Sequence, residues 1–223
     1  MARKNVTRGV RGLTRREEYA EATREAIVNA ARQLFVERGY FATKVDDIAA
    51  LARVAPVTVY AAAGGKHELL RTLMLLDMGA FVPIVDAMLN RIRVTEDPAE
   101  IMRLLGSAVR DMREAYGDIL HVVIVTAPHD QGVADSLAMA TTRYRETCLS
   151  VAQRLMDLRA LRQQVDLQQA VDVLWFYFGY WSLFTLKTEN GWSYERAEHW
   201  LCAAASQALL RAPAVKLSGG GSE

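Results

Sequence analysis

The chain has 223 residues, 51% of them hydrophobic and 24% charged, with a formal net charge of +1, which is length and apolar content enough for one large or two small domains with a real core. Residues 1–71 hold 13 Lys and Arg against 8 Asp and Glu, a net of +5, and the remainder holds 14 against 18, a net of −4. A basic first third joined to an acidic remainder points to a polyanionic partner for the first part only. The two cysteines, Cys148 and Cys202, lie far apart without CxxC or Cys/His ligand spacing, and so read as buried thiols in a reducing compartment rather than as a sensing pair.

The N-terminal stretch RKNVTRGVRGLTRR supplies six basic residues and no acidic ones before Glu17, and lacks the apolar run of a secretory signal. It reads as a basic arm over residues 1–16 that tracks phosphates or enters a minor groove, with Arg3, Arg8 and Arg11 as the groove residues. From Arg15 to Arg38 the apolar positions Tyr19, Ile27, Ala30, Ala31, Leu34 and Phe35 recur at three- and four-residue steps, predicting a helix that Thr14 caps and Gly39 ends. Thr43 to Asp46 has capping-box spacing and opens a short helix to about Arg53 with Val45, Ile48, Ala49 and Ala52 inward. After a short turn, Pro56 begins a third helix to about Ala62, Gly64-Gly65 ends it, and Lys66 starts a fourth reaching about Ile92.

Beyond it, Asp97-Pro98 starts a helix to about Tyr116, with Gly117 as its stop. A short element over Ile119–Ala127 follows and is read as helix despite its β-branched run HVVIV. Long helices then cover about Gln131–Leu158, Leu167–Thr188 and Ser193–Arg211. The longest largely apolar run, Leu174–Leu186, is shorter than the ~20 residues a bilayer span needs. The expected fold is all-α, with a basic arm (1–16), a three-helix DNA-binding domain (17–71), a helical ligand-binding and dimerisation domain (72–212) and a flexible tail (213–223). No membrane partner is expected, and the expected location is cytoplasmic.

The second and third helices have the proportions of a helix-turn-helix, whose second helix enters the major groove. Thr58 and Tyr60 offer hydroxyls to phosphates, and Val57 offers an apolar contact for a thymine methyl. Thr43 and Lys66 stand at helix starts, where a phosphate also meets free backbone N–H groups. The small residues Ala61 to Gly65 allow close approach of the backbone to a duplex.

At these residues the stretch from Thr23 to Leu70 resembles the DNA-binding domain of the TetR (tetracycline-repressor-like) family of transcriptional regulators. The resemblance rests on the Ala-Ala-x-x-Leu-Phe core, Gly39-Tyr40, Thr43, Asp47-Ile48-Ala49, Thr58-Val59-Tyr60, Gly64, Lys66 and Leu69. It implies a homodimeric helical repressor with a variable C-terminal ligand-binding domain, and Thr43, Thr58, Tyr60 and Lys66 as phosphate contacts. Three positions depart from the family pattern. Arg53 replaces a turn glycine, so it either takes an unfavourable backbone angle or the turn differs. Ala55 removes a side-chain cap, and Ala62-Ala63 replace a His-Phe pair whose Phe packs the recognition helix.

All four tryptophans lie between Trp175 and Trp200. A 167–188 helix apolar nearly all round must bury a second face, and a second copy of the chain is the economical partner, giving a four-helix bundle from helices 167–188 and 193–211. Some aromatics and methionines are instead candidates to line a site for a small, largely apolar effector: Phe81, Met88, Met112, Tyr116, His121, Met139, Tyr144, Trp175, Phe178 and Trp181. Asp172, alone in its apolar helix, is expected to pair at the surface or interface, or to meet a cationic ligand. No nucleophile–base arrangement, phosphate-binding glycine loop or cofactor motif occurs, so an enzyme is not expected. His121, His129 and Asp130 make only a weak metal-site candidate. The expected function is a ligand-responsive regulator, most simply a repressor, that binds a palindromic operator in double-stranded DNA as a homodimer. The competing reading is a helical small-molecule-binding dimer that has lost specific DNA binding.

Overall fold

The structure is a computed structural model that describes residues 14–211; Arg3, Arg8, Arg11 and the tail from residue 212 lie outside the described residues. Its regular elements are helices α1 (Arg15–Arg38), α2 (Val45–Ala52), α3 (Pro56–Ala63), α4 (Lys66–Val94), α5 (Pro98–Thr126), α6 (Gln131–Asp157), α7 (Leu167–Phe178), α8 (Tyr180–Phe184) and α9 (Tyr194–Leu209). A single turn of 3₁₀ helix at Ala127–His129 joins α5 to α6, and a wide turn at Thr185–Glu189 extends α8. Among the described residues, the one β-type pairing is an isolated bridge between Leu161 and Leu210.

The chain divides into two compact units. The first takes in the chain through Leu75 together with Ile119–Ala134, and the second takes in Leu76–Asp118 and the chain from Asp135 onward. The segment 119–134 therefore groups with the N-terminal helices, not with the C-terminal domain in which the sequence reading placed it. Contacts hold it there: the Phe41 ring meets the His129 ring edge-on at 5.7 Å, and His67 pairs with Asp130.

In the first unit, α1 begins as the sequence predicts. The Thr14 side chain accepts from the Glu17 N–H while the Glu17 carboxylate accepts from the Thr14 N–H at 2.7 Å, and Gly39 ends the helix at φ 80°. Ile27, Ala31, Leu34 and Phe35 of α1, Ile48 of α2, Val59 of α3 and Leu69 of α4 are all nearly or fully buried. A three-helix domain of this size depends on such burial, because its short helices are not stable alone.

Arg53 resolves the first departure. It follows α2 at φ 58° and ψ 41°, the left-handed conformation in which glycine is usual, and its N–H closes the helix on Ala49 and Ala50 carbonyls. The turn keeps its shape and the arginine accepts the strain, a cost of about 1 kcal/mol relative to glycine. Arg53→Gly is thus expected to stabilise the first unit by about 0.5–1 kcal/mol, read as a higher urea midpoint at unchanged slope.

Four expectations are corrected. Helix α2 starts at Val45 with Lys44 as its cap, and Asp47 accepts from the Lys44 N–H at 3.2 Å, because the Thr43 hydroxyl is turned inward to other partners. Gly117 does not stop α5, and 119–126 is not a separate element but its continuation. Gly117 is buried, with the Tyr194 hydroxyl near 3.8 Å from where a Cβ would stand, so tertiary cover overrides the weak helix propensity of glycine. The expected 167–188 helix is broken at Gly179 into α7 and α8. A Cβ there would lie 2.3 Å from the Trp175 carbonyl oxygen, so only glycine allows this break. Helix α4, not 174–186, is the stretch long and apolar enough by length and composition to cross a membrane. Its Leu69, Leu70, Leu73 and Met74 at one end, and Met88 and Ile92 at the other, are buried, while only 22% of its most apolar 18-residue stretch is.

The second unit packs around Leu105, Val109, Val151, Leu155, Leu174, Phe178, Leu201 and Leu209, all at most 1% exposed. Both cysteines are free and buried there, as the sequence predicts, and burial raises the Cys148 thiol to about 12 and the Cys202 thiol to about 11. Asp172 is exposed and pairs with Arg145 at 2.5 Å.

Candidate functional site

The helix-turn-helix presents α3 outward. Val59 fixes it by full burial, while Val57 on the second position and Tyr60 one turn later are 72% and 58% exposed. Val57 and Tyr60, three positions apart, fall on one exposed face of α3. Thr58 is half-buried and Arg53 is exposed beside the start of α3. Ala55 caps α3 with no side-chain hydrogen bond, and Ala62 and Ala63 are half-buried where bulkier residues would project. The Tyr60 ring lies over Gly65, whose φ is 92° and at which a Cβ would come within 3.0 Å of the Tyr60 ring.

Two expected phosphate contacts carry structural bonds. Thr43 is buried, and its hydroxyl is within donor reach of the Leu34 carbonyl at 3.1 Å and the Gly39 carbonyl at 2.8 Å. The hydroxyl therefore braces the α1–α2 turn and is not presented at the surface. The Lys66 ammonium donates to the Tyr40 carbonyl at 2.8 Å and the Thr43 carbonyl at 3.2 Å, and stands 4.3 Å from the centre of the Tyr40 ring. Partial burial lowers its pKa, although the two carbonyls and the ring favour the charged form. Two of its three protons are engaged, which leaves one for an anion.

Sequence reasoning missed a His67–Asp130 pair in the same unit. His67 Nδ1 lies 3.3 Å from Asp130 Oδ1 and 3.4 Å from Oδ2, and Oδ1 also accepts from the Val133 N–H at 3.1 Å. The Val133 N–H, then His67, hold the Asp130 carboxyl below its ordinary value, while burial and then Asp130 raise the Tyr40 phenol. A depressed carboxyl contributes stability above its unfolded pKa and loses it as pH falls through the folded value. The first unit is expected to lose stability below about pH 4, and Asp130→Asn to flatten that limb in a pH series of thermal melts. The only local signal for the pair was a histidine directly after Lys66 and an aspartate directly before α6.

The candidate ligand residues divide. His121 is exposed and belongs to the first unit; the other nine belong to the second. Met88, Met112 and Phe178 are in the second unit's core, and Phe81 and Tyr116 meet edge-on at 4.9 Å. Tyr144 contacts Trp175 at 5.5 Å, Trp175 contacts Tyr180 at 5.1 Å, and the Tyr144 hydroxyl donates to the Phe178 carbonyl at 2.6 Å. Met139 and Trp181 are 68% and 61% exposed and so do not line this interior. Among the described residues no cluster of His, Cys, Asp or Glu could hold a metal.

Residues 27–73 match the family model described as bacterial regulatory proteins, tetR family. No curated protein sequence matches the chain. Solved structures similar to it include the fatty acid degradation regulator FadR from Bacillus halodurans, at 16% identity and TM-score 0.64, covering 82% of this chain and 94% of that one. The SmeT–triclosan complex aligns at 16% identity and TM-score 0.65, covering 85% and 92%. The TetR-family regulator PfmR from Thermus thermophilus aligns at 21% identity and TM-score 0.63, covering 82% and 96%. At such identities these likenesses establish the shared helical fold.

Proposed function

We infer, from an N-terminal domain that belongs to the tetR family of bacterial regulatory proteins, that this chain is a repressor which binds operator DNA as a homodimer and is released by a small effector. The observation that carries this reading is the exposed Val57/Tyr60 face of α3, held by the buried Val59. In it, α3 enters the major groove, Val57 meets a thymine methyl, and Thr58, Tyr60 and Arg53 contact phosphates. Lys66 gives its remaining proton to a phosphate. Thr43 acts indirectly by bracing the turn, and Arg8 and Arg11 of the basic arm add charge along the backbone. No enzymatic step belongs to this reading, and its setting is the cytoplasm.

Dimerisation falls to the helices from α7 to α9. Phe176, Trp181 and Trp200 are 70%, 61% and 49% exposed in the single chain, a large aromatic area that a second copy would cover. Trp181 is accordingly assigned to the interface and not to the effector site. A two-fold dimer places two recognition helices about 34–36 Å apart, one turn of DNA, on a palindromic site. The effector acts by binding one arrangement of the dimer more tightly than the other. SmeT is solved with triclosan, an apolar aromatic ligand, and the Tyr144–Trp175–Tyr180 interior here suits a ligand with an apolar body.

The test is a gel-shift titration on the chain's own upstream intergenic DNA at low and moderate salt. A sequence-selective complex that survives moderate salt is expected. A steeply salt-dependent background with no preferred fragment would end the reading.

A further inference from the structure

Most arginines of the second unit find good partners. Arg110 bonds Glu198 at 2.6 Å, Arg145 bonds Asp172, and Arg154 makes two bonds of 3.0 and 3.2 Å to the Thr95 carbonyl. Arg113 of α5 does not. It is 5% exposed, its Nε has no hydrogen-bond partner, and its Nη2 makes only a long 3.4 Å donation to the Gly179 carbonyl. No carboxylate is among the groups whose charge acts on it. The guanidinium instead faces aromatic rings, 5.4 Å from the centre of Tyr180 and 5.9 Å from that of Phe184. Burial pulls its pKa down, with Tyr144, Tyr180 and Tyr194 acting the other way, yet a guanidinium remains charged in a protein.

A buried cation without a counter-ion is among the least favourable arrangements a fold can hold, and buried charges are ordinarily paired. A cation–π contact offsets part of the desolvation but leaves the Nε donor idle and the fork poorly used. The neighbours of the guanidinium are aromatic. Thr141 gives its one proton to the Leu137 carbonyl at 2.8 Å, so the Tyr180 hydroxyl, 3.3 Å away, donates to Thr141 Oγ1 and presents its ring, not its proton, to the guanidinium. Tyr144 and Trp175 extend the same wall as an apolar aromatic surface.

We propose that Arg113 is the recognition cation for the effector, and that the effector is an apolar carboxylic acid whose carboxylate takes the idle guanidinium donors while its body lies against the aromatic rings. This rests on the reading of the second unit as an effector-binding domain. A carboxylate fits because the planar fork binds it in two places. Its single negative charge balances the single buried cation, whereas a dianionic phosphate would leave a buried charge uncompensated. Gly179 belongs to the same arrangement: its break between α7 and α8 is what brings its carbonyl and Tyr180 to the guanidinium.

The experiment compares thermal melts of the full chain and of Arg113→Met with four probe acids, decanoate, hexanoate, phenylacetate and 1-naphthoate, each against its neutral alcohol and against inorganic phosphate. At least one acid is expected to raise the wild-type midpoint by about 3 °C or more, with its alcohol and phosphate giving less than about 1 °C. Arg113→Met is expected to melt at or above the wild-type temperature and to lose the acid-dependent rise. No rise with any acid, an equal rise in both proteins, or a rise matched by the alcohol overturns the proposal. So does an Arg113→Met midpoint more than about 3 °C below wild type, which would make Arg113 a satisfied structural residue. A rise with phosphate alone would likewise overturn it in favour of a phosphoryl anion. Gel shifts on the wild type are run separately, so failure to bind DNA would end the repressor reading while the melts still decide the ligand chemistry.

Discussion

Exchanging Tyr60 for Ala is expected to weaken operator binding by about 10- to 100-fold while leaving the protein folded. That range corresponds to about 1.4–2.7 kcal/mol, the usual worth of one good contact in a specific DNA complex. Folding should be little affected, because the Tyr60 ring is 58% exposed and its main intramolecular neighbour is Gly65. A phosphate contact from a neutral hydroxyl makes two further demands. The loss should be similar on specific and non-specific fragments, since phosphates carry no sequence, and the slope of affinity against salt should not change, since no charge is removed. Val57→Ala makes the contrast: its loss should fall on one base position of the operator. Unchanged affinity for Tyr60→Ala, measured on fragments of both kinds, would remove α3 from the interface.

The second large effect is internal. Gly106→Ala is expected to destabilise the second unit by about 2 kcal/mol, even though alanine is better than glycine in a helix by ~1 kcal/mol. A Cβ at Gly106 would lie 2.2 Å from Cys202 Sγ and 3.3 Å from Glu198 Cγ, so α5 and α9 meet here at a distance only glycine permits. Cys202 cannot easily yield, as its thiol is buried and lies 3.4 Å from the Met102 carbonyl. Cys202→Ala alone should cost about 1 kcal/mol by leaving a small void. Combined, the two substitutions exchange one atom for the other, and the double variant should return close to wild type, giving a coupling of roughly 2–3 kcal/mol in urea unfolding. Strict additivity would show that the contact is not what the glycine serves.

The N-terminal helices were legible because their signals are local. Thr14, Gly39, Pro56 and Gly64 each act within one turn of the residue they punctuate, and all four fall where the chain turns. Arg53 was half legible: the sequence showed that a glycine was missing, but only the backbone showed that the arginine takes the glycine's conformation. Gly117 misled because its cover comes from Tyr194, 77 positions away, and no window of sequence contains both. Gly179 was passed over for the opposite reason, since a glycine inside an apolar run carries no polar punctuation to announce a break. Thr43 and Lys66 were identified by type and position, yet the direction of their donors depends on the carbonyls of Leu34 in α1 and of Gly39 and Tyr40 in the turn after it. Arg113 was missed altogether. Its signal was its place four residues after Val109 and three before Tyr116, on the inward stripe of α5, which set it apart from the arginines of the outer face.

The two deep thiols have a consequence for chemistry in time. A thiol held at about 12 or about 11 is almost entirely protonated at neutral pH, and only the thiolate attacks an alkylating reagent or a peroxide. Cys148 and Cys202 are the chain's only cysteines, and both belong to the second unit. Modification at neutral pH must therefore wait for that unit to open, and the labelling rate becomes a clock for its opening events, blind to fraying of the DNA-binding helices. A ligand held in the interior of that unit would slow the clock without altering either thiol, so occupancy can be read as protection, one covalent event at a time.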